Sequence, residues 1–119
     1  MKAEIIAVGT ELLLGNIVNT NAQFLSVELA SLGFDMYYQT VVGDNFDRLV
    51  GQIRESVGRS DVVLITGGLG PTPDDLSKEA AAAALGLELF LHENSLASIK
   101  EYYRKVGRQM SESNIKQAM

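Results

Sequence analysis

Val62-Val63-Leu64-Ile65-Thr66-Gly67-Gly68-Leu69-Gly70-Pro71-Thr72-Pro73-Asp74-Asp75 is the stretch on which the fold turns. Its apolar first half, taken from Asp61 to Thr66, reads as a strand buried on both faces. Its second half is a glycine-rich turn that enters an alanine-rich helix over Leu76–Leu85, with Gly86 beyond. A strand that ends in such a turn at a helix N-terminus is a ready anion site. The glycines let backbone N–H groups approach a ligand, and the helix end adds partial positive charge. Two aspartates at that point fit a cation held between carboxylate and phosphate, or a catalytic carboxylate. The stretch therefore points to nucleotide or phosphate chemistry.

Upstream, Ala3 to Val8 is a nearly continuous apolar run closed by Gly9, again a strand of the parallel, doubly covered kind. Ala22, Leu25, Leu29 and Leu32 recur at helical spacing, with Asn19, Thr20 or Asn21 as cap and Gly33 as stop. Phe34 to Val42 predicts a second strand, ending at Gly43-Asp44-Asn45. Phe46, Leu49, Ile53 and Val57 predict a helix capped by Asp44 or Asn45 and stopping near Gly58. Downstream, Leu87 to Leu91 predicts a strand or an extended run, and Ser95 to Val106 an amphipathic helix in which Tyr102 and Tyr103 pack. His92 reads as surface. Gln109 to Met119 reads as polar and uncapped, so the chain is expected to stop short of the natural domain boundary. Strands alternating with helices predict α/β architecture, a parallel sheet joined by right-handed crossovers.

The 119 residues match one domain, and 46% hydrophobic content marks a globular chain. There is no cysteine and one histidine, which disfavours a disulfide framework, a His/Cys zinc site and Cys-His or Ser-His-Asp catalysis. No apolar run approaches the ~20 residues of a membrane span, and no signal-peptide pattern opens the chain. A cytoplasmic location is the simplest expectation. The net charge of −5, with no basic stripe, disfavours nucleic acid as a partner.

In an open α/β sheet, ligands gather at the carboxyl ends of the strands. Three loops leave such ends here: Gly9-Thr10-Glu11 onward to Asn19-Thr20-Asn21, then Gly43-Asp44-Asn45, then the glycine loop. That loop has neither the Gly-Lys-Ser/Thr of a P-loop nor the Gly-x-Gly-x-x-Gly spacing of a dinucleotide fingerprint. One of Asp74 and Asp75 is expected to cap the following helix. The other, taken as Asp75, is then surplus to capping and available for function. Asp44 is weighed between a helix cap and a site residue, and Glu11 between a solvated loop charge and a metal or hydroxyl ligand.

Four segments together resemble a known family. They are Ala7-Val8-Gly9-Thr10-Glu11-Leu12-Leu13-Leu14-Gly15 with Asn19-Thr20-Asn21, then Val42-Gly43-Asp44, then Thr66 through Asp75, then Ser113-Asn114-Ile115-Lys116-Gln117-Ala118. They resemble the N-terminal domain of the CinA (competence/damage-inducible protein) family, a MoaB/MogA-like molybdopterin-binding domain. The resemblance implies a three-layer α/β/α sandwich with a mostly parallel sheet, and residues 1–119 as one such domain, truncated at its C-terminal end. It implies a metal-dependent hydrolase of the ADP-ribose pyrophosphatase type, with Asp44 and Asp75 as catalytic carboxylates. A divalent cation would be held by Asp44, Asp75 and Glu11. Gly9, Thr10, Glu11, Asn21, Thr66, Gly67, Gly68, Gly70, Pro71 and Thr72 would bind the ligand and its phosphates. The alternative is a module that binds a molybdopterin- or nucleotide-like molecule without catalysis. A homo-oligomer is also implied, and in a longer protein a C-terminal nicotinamide-mononucleotide deamidase domain. Molybdopterin enzymes usually carry Gly-Gly-Thr-Gly followed by Arg-Asp. Leu69 and Pro73-Asp74-Asp75 depart from that pattern and favour the CinA branch.

Overall fold

The computed structural model describes residues 1–119 and has three parallel strands, β1 (Lys2–Val8), β2 (Asp35–Val42) and β3 (Val62–Thr66), in the order β2-β1-β3. The run from Ala3 to Val8 is apolar throughout, apart from Glu4, because β1 is the central strand and both of its faces are covered. Every residue in that run is buried. Its side chains alternate between two cores, as a period of two requires. Ala3 and Ile5 meet Ala22 and Leu29 on one face, while Ile6 and Val8 meet Leu49, Val50, Ile53 and Ala80 on the other. Full burial of each large aliphatic side chain contributes about 1.5–3 kcal/mol.

The first of these cores is closed by α2 (Thr20–Ser31), which follows the one-turn helix α1 (Thr10–Leu13). The second is closed by α3 (Phe46–Arg59) and α4 (Ser77–Leu85). Helices therefore cover both faces of a parallel sheet, and the α/β three-layer expectation holds. Asn19 caps α2, its side chain accepting from the Ala22 N–H at 3.3 Å. Asn45 caps α3, accepting from the Arg48 N–H at 3.0 Å. The cap of α3 is thus Asn45 and not Asp44, which leaves the Asp44 carboxylate for other partners.

Of the two alternatives for Leu87 to Leu91, the strand is not formed: the run joins no sheet, and Phe90 within it is 75% exposed. Two expectations need correction. Neither Asp74 nor Asp75 caps α4: Leu76 occupies the cap position, and no side chain closes that end. The C-terminal stretch is not uncapped. It forms a 3-10 helix over Glu112–Ala118, where Asn114 Oδ1 accepts from the Ser111 N–H at 3.0 Å. Lys78 of α4 closes its other end, donating to Lys116 O at 2.5 Å and to Met119 O at 3.0 Å.

The last long helix, α5 (Glu93–Val106), has no fully buried residue and packs chiefly on the 3-10 helix. His92 caps it, with Nδ1 accepting from the Ser95 N–H at 3.2 Å. The His92 N–H donates to Ala118 O at 2.7 Å and so anchors the start of α5 to the end of the 3-10 helix. The molecule measures 44 × 30 × 30 Å. Its radius of gyration of 15.8 Å exceeds the ~13–14 Å of a compact chain this long. No helix is long and apolar enough to cross a membrane.

Candidate functional site

The register of the sheet assembles the site. Val8 lies beside Val42, and Ala7 beside Thr66, so β1, β2 and β3 end at nearly the same level. The next residue in each case is a glycine: Gly9, Gly43 and Gly67. The Gly9 N–H donates to Val42 O at 2.9 Å, and a Cβ on Gly67 would fall 2.3 Å from Val8 O. These close approaches bring three loops together at one edge.

The first two loops are joined through Thr10. Its Oγ1 accepts from the Asp44 N–H at 3.0 Å and lies 3.3 Å from Asp44 Oδ2, to which it donates. A Cβ on Gly43 would sit 3.4 Å from that same Oγ1, in ordinary contact. Glu11 folds back over Gly9, where a Cβ would stand 2.5 Å from Glu11 Oε1. Glu11, Asn19, Asn21, Thr66 and Gly67 line a cleft of about 160 Å³ between the first loop and the third.

The third loop turns on two consecutive glycines. Gly67 and Gly68 are both left-handed, with φ of 85° and 67°, the region glycine occupies at least cost. Their carbonyls turn toward α4: Ser77 Oγ donates to Gly67 O at 2.6 Å, and the Ser77 N–H donates to Gly68 O at 3.1 Å. The N–H groups of Gly67, Gly68 and Leu69 donate to no other main-chain group. A run of N–H donors in such a turn forms a concave anion-binding surface.

Asp75 braces this loop. Its Oδ2 accepts from the Thr72 N–H at 3.0 Å and from Thr72 Oγ1 at 2.7 Å. It also lies against Gly70, where a Cβ would come within 2.6 Å. The Thr72 hydroxyl, helped by the Thr72 and Gly70 N–H groups and by Lys116, holds the Asp75 carboxyl below the usual carboxylate range. Asp75 is therefore an anion at neutral pH, directed into its own loop. Asp74 is exposed beside it.

Sequence reasoning gave no role to Ser77 or Lys116. Lys116 Nζ donates to Thr72 O at 2.7 Å and also to Asp75 O, and it stands 3.7 Å from Glu79 Oε1. It thus ties the 3-10 helix to the underside of the loop. The one signal available was its place in the Ser113 to Ala118 segment, 41 residues from Asp75 in the chain. Lys116→Met is expected to lower stability by about 1.5–3 kcal/mol, the range of hydrogen bonds to a charged group. Thermal unfolding should show a midpoint several degrees lower. An unchanged midpoint would mean that the loop holds its shape alone.

The expected carboxylates do not all converge. Thr10 holds Asp44 and Thr72 holds Asp75, on different loops, while Glu11 leans over Gly9. No group of three or more histidine, aspartate or glutamate residues is placed to hold a metal ion by protein ligands alone. One or two carboxylates are nonetheless the usual protein share for a hard divalent cation that arrives with phosphate oxygens and water. The protein ligands therefore do not form a closed cage.

Comparison with known proteins agrees with this architecture. Residues 4–118 match the family described as "Probable molybdopterin binding domain". A competence-damage inducible protein of Bacillus thuringiensis (strain Al Hakam) is 59% identical over all 119 residues, and one of Clostridium tetani is 58% identical over 118. The chain spans 29% of the length of each of these relatives. Among solved structures, the protein CinA of Thermoplasma acidophilum is 36% identical with a TM-score of 0.88, covering 98% of this chain and 68% of that one. The molybdopterin biosynthesis enzyme MoaB of Thermus thermophilus shares the fold, with a TM-score of 0.66 at 23% identity, covering 98% of this chain and 70% of that one.

Proposed function

The chain belongs to the molybdopterin-binding domain family, in its CinA branch, and from that premise we propose that it binds a phosphate-bearing, nucleotide- or pterin-like small molecule at the carboxyl edge of its sheet. The observation that carries this reading is the row of N–H groups on Gly67, Gly68 and Leu69, free of main-chain acceptors in a left-handed glycine turn. Phosphate oxygens would take those donors. Asn21, Thr66 and the first loop would close the cleft around the ligand. The N–H of a free peptide unit and an anionic oxygen form a charge-assisted bond, roughly twice as strong as a neutral one.

The finer reading is hydrolysis of a diphosphate such as that of ADP-ribose. Asp44 is suited to it, because Thr10 engages one carboxylate oxygen and Asp44 stays exposed at the rim. Asp44, with Asp75 or Glu11, would share a divalent cation with the diphosphate, and the cation would offset the phosphate charge. The glycine loop would hold the phosphates in place while a water attacks phosphorus. The attack yields AMP and ribose 5-phosphate.

Asp75→Asn separates these readings. The amide oxygen can still accept from the Thr72 N–H, so the loop keeps its shape while the negative charge is lost. On the hydrolase reading, AMP formation from ADP-ribose in the presence of a divalent metal drops by about 100-fold or more, the scale seen when one electrostatic contributor is removed. The thermal midpoint changes little. If turnover is unchanged, Asp75 is not part of the chemistry. If calorimetry shows metal-independent binding of ADP-ribose and no product forms, the domain is a binding module.

A further inference from the structure

The border of the sheet farthest from the glycine loop is open. β2 pairs with β1 alone, so its outer edge has no neighbour. Along that edge runs a groove of about 370 Å³ between β2 and α3, whose walls include Leu13, Thr40, Val41, Arg48 and Gln52. The glycine loop leaves β3, on the far side of β1. We propose that the free edge of β2 binds an extended peptide as an added strand, with an aspartate or glutamate side chain of that peptide on Arg48. The inference is independent of the phosphate-binding reading above.

The main chain supplies the first reason. Val42 O accepts from the Gly9 N–H at 2.9 Å, so the polar groups of Val42 face β1. Along a strand these groups alternate in direction from one residue to the next. The N–H and C=O of Gln39 and Val41 therefore point outward, with no strand to meet them. Only another polypeptide matches donors and acceptors at that spacing, and strand addition is a recurring way of capturing one. Exposed edges are usually blunted by charge, proline or a bulge. Gln39-Thr40-Val41-Val42-Gly43 carries neither charge nor proline, and the slip in register with β1 lies upstream, at Tyr37.

The side chains along the edge supply the second. Val42 is buried against Leu49, Val50 and Ile53 of α3. Thr40, two residues earlier, lies on the same face. Arg48 and Gln52 flank it from α3, one helical turn apart. The Arg48 side chain is exposed and forms no ion pair, whereas Arg54 of the same helix donates to Ala83 O and Arg59 pairs with Glu4. Gln52 Nε2 donates to Ser56 Oγ at 3.1 Å, which orients the amide and leaves its Oε1 to accept. Leu13 forms an apolar wall at the Gly43 end, 3.3 Å from where a Gly43 Cβ would stand. A guanidinium free beside an open strand edge is complementary to a carboxylate carried in by the added strand.

A second copy of this chain fits the edge less well. The slip at Tyr37 confines straight pairing to residues 39–43. Two such stretches paired antiparallel about Val41 would set Thr40 opposite Val42 and bring no carboxylate to Arg48. The acids nearest in sequence, Asp35 and Asp44, lie outside the stretch. The occupant that satisfies both the main chain and Arg48 is a peptide with an acid of its own.

The test uses the 119-residue chain and a capped heptapeptide, Thr-Val-Glu-Val-Leu-Val-Thr, whose Glu and Leu share one face of a strand. Binding is read by calorimetry and by amide hydrogen exchange at Gln39 and Val41. Saturating peptide should slow exchange at Val41 by about tenfold or more. Arg48→Glu, a change at an exposed position, should weaken binding by about 10- to 100-fold without moving the thermal midpoint. A peptide with Lys in place of Glu should bind that variant and not the wild type. Methylating alternate amide nitrogens of the peptide should abolish binding in one phase and spare it in the other, because only one of its edges meets β2. Exchange at Val41 that ignores the peptide, binding that ignores Arg48→Glu, or equal behaviour of the two methylated forms would overturn the proposal. So would dimerisation in sedimentation that protects Val41 without peptide, since the edge would then belong to a second copy. Calorimetry with AMP on the same samples reports the phosphate site separately.

Discussion

Replacing Glu4 by Ala is expected to destabilise the fold by about 3–5 kcal/mol, the cost of breaking a buried ion pair by removing one partner. Glu4 sits on the central strand and is 0% exposed. Its carboxylate accepts four hydrogen bonds. Ser56 Oγ donates to Oε1 at 2.6 Å and Arg59 Nη2 at 2.7 Å, while Arg59 Nε donates to Oε2 at 3.0 Å and Ser60 Oγ at 2.7 Å. The Arg59 guanidinium lies over the Tyr38 ring, 3.6 Å from its centroid, and also pairs with Glu55 at 2.9 Å. The bidentate pair therefore fastens the end of α3 to β1 and β2 together. Truncating Glu4 leaves a cavity, two serine hydroxyls without their acceptor and a guanidinium stripped of its bidentate partner.

The same site imposes a pH dependence. Arg59, with Ser56 and Ser60, lowers the Glu4 carboxyl from 4.5 to about 2, against the opposing effect of burial. The folded state thus binds this proton more weakly than the unfolded chain. The stabilisation is fully present above pH 4.5 and is lost as pH falls toward 2. Integrated over that interval it amounts to about 3 kcal/mol. Urea unfolding at a series of pH values should show this slope in the wild-type chain and a flatter one in Glu4→Gln. Equal slopes would mean that other carboxylates set the acid stability.

Gly67→Ala is expected to have the largest effect on the candidate site. Gly67 has φ of 85°, and its Cβ would be 2.3 Å from Val8 O and 3.3 Å from Val8 C. Those atoms belong to the backbone of the central strand and cannot rotate away. The left-handed conformation alone costs a non-glycine residue about 1–2 kcal/mol. Relieving the clash also requires the loop to lift off β1, which dismantles the row of N–H donors. Stability should fall by more than ~2 kcal/mol, and binding of AMP should be lost at concentrations that saturate the wild-type chain. Gly51→Ala is the matching control. It lies inside α3 with no heavy atom within 4 Å of the added Cβ, so the change should stabilise the chain by about 0.5–1 kcal/mol. If Gly67→Ala behaves like the control, the loop does not depend on the close approach to β1.

Much of this was legible in the residues. Unbroken apolar runs announced β1 and β3, because a strand covered on both faces has no polar side to display. Apolar residues at helical spacing announced α2 and α3. A glycine after each strand marked the three loops, and Asn19 and Asn45 were readable as caps from their residue type. The turn after β3 was legible for the same reason: Gly67 and Gly68 take the left-handed conformation that glycine adopts at least cost.

What was misread shares one cause. Leu87 to Leu91 has the composition of a strand, yet strand formation requires a neighbour with free edge groups, and composition does not supply one. One of Asp74 and Asp75 was expected to cap the following helix, but Asp74 is exposed and the Asp75 carboxylate finds two donors on Thr72 inside the loop. Lys116 carried no signal beyond its place in the Ser113 to Ala118 segment, because its partners are distant in the chain and meet it only when the 3-10 helix folds back beside the loop. The sequence by itself determined the alternation of strands and helices and the positions of the turns, since each of these is decided within a few residues by backbone freedom and periodicity. The tertiary structure alone decided that Glu4 is paired, that Asp44 and Asp75 are held apart and that a groove opens beside Arg48, since these depend on distances between segments that only packing brings together.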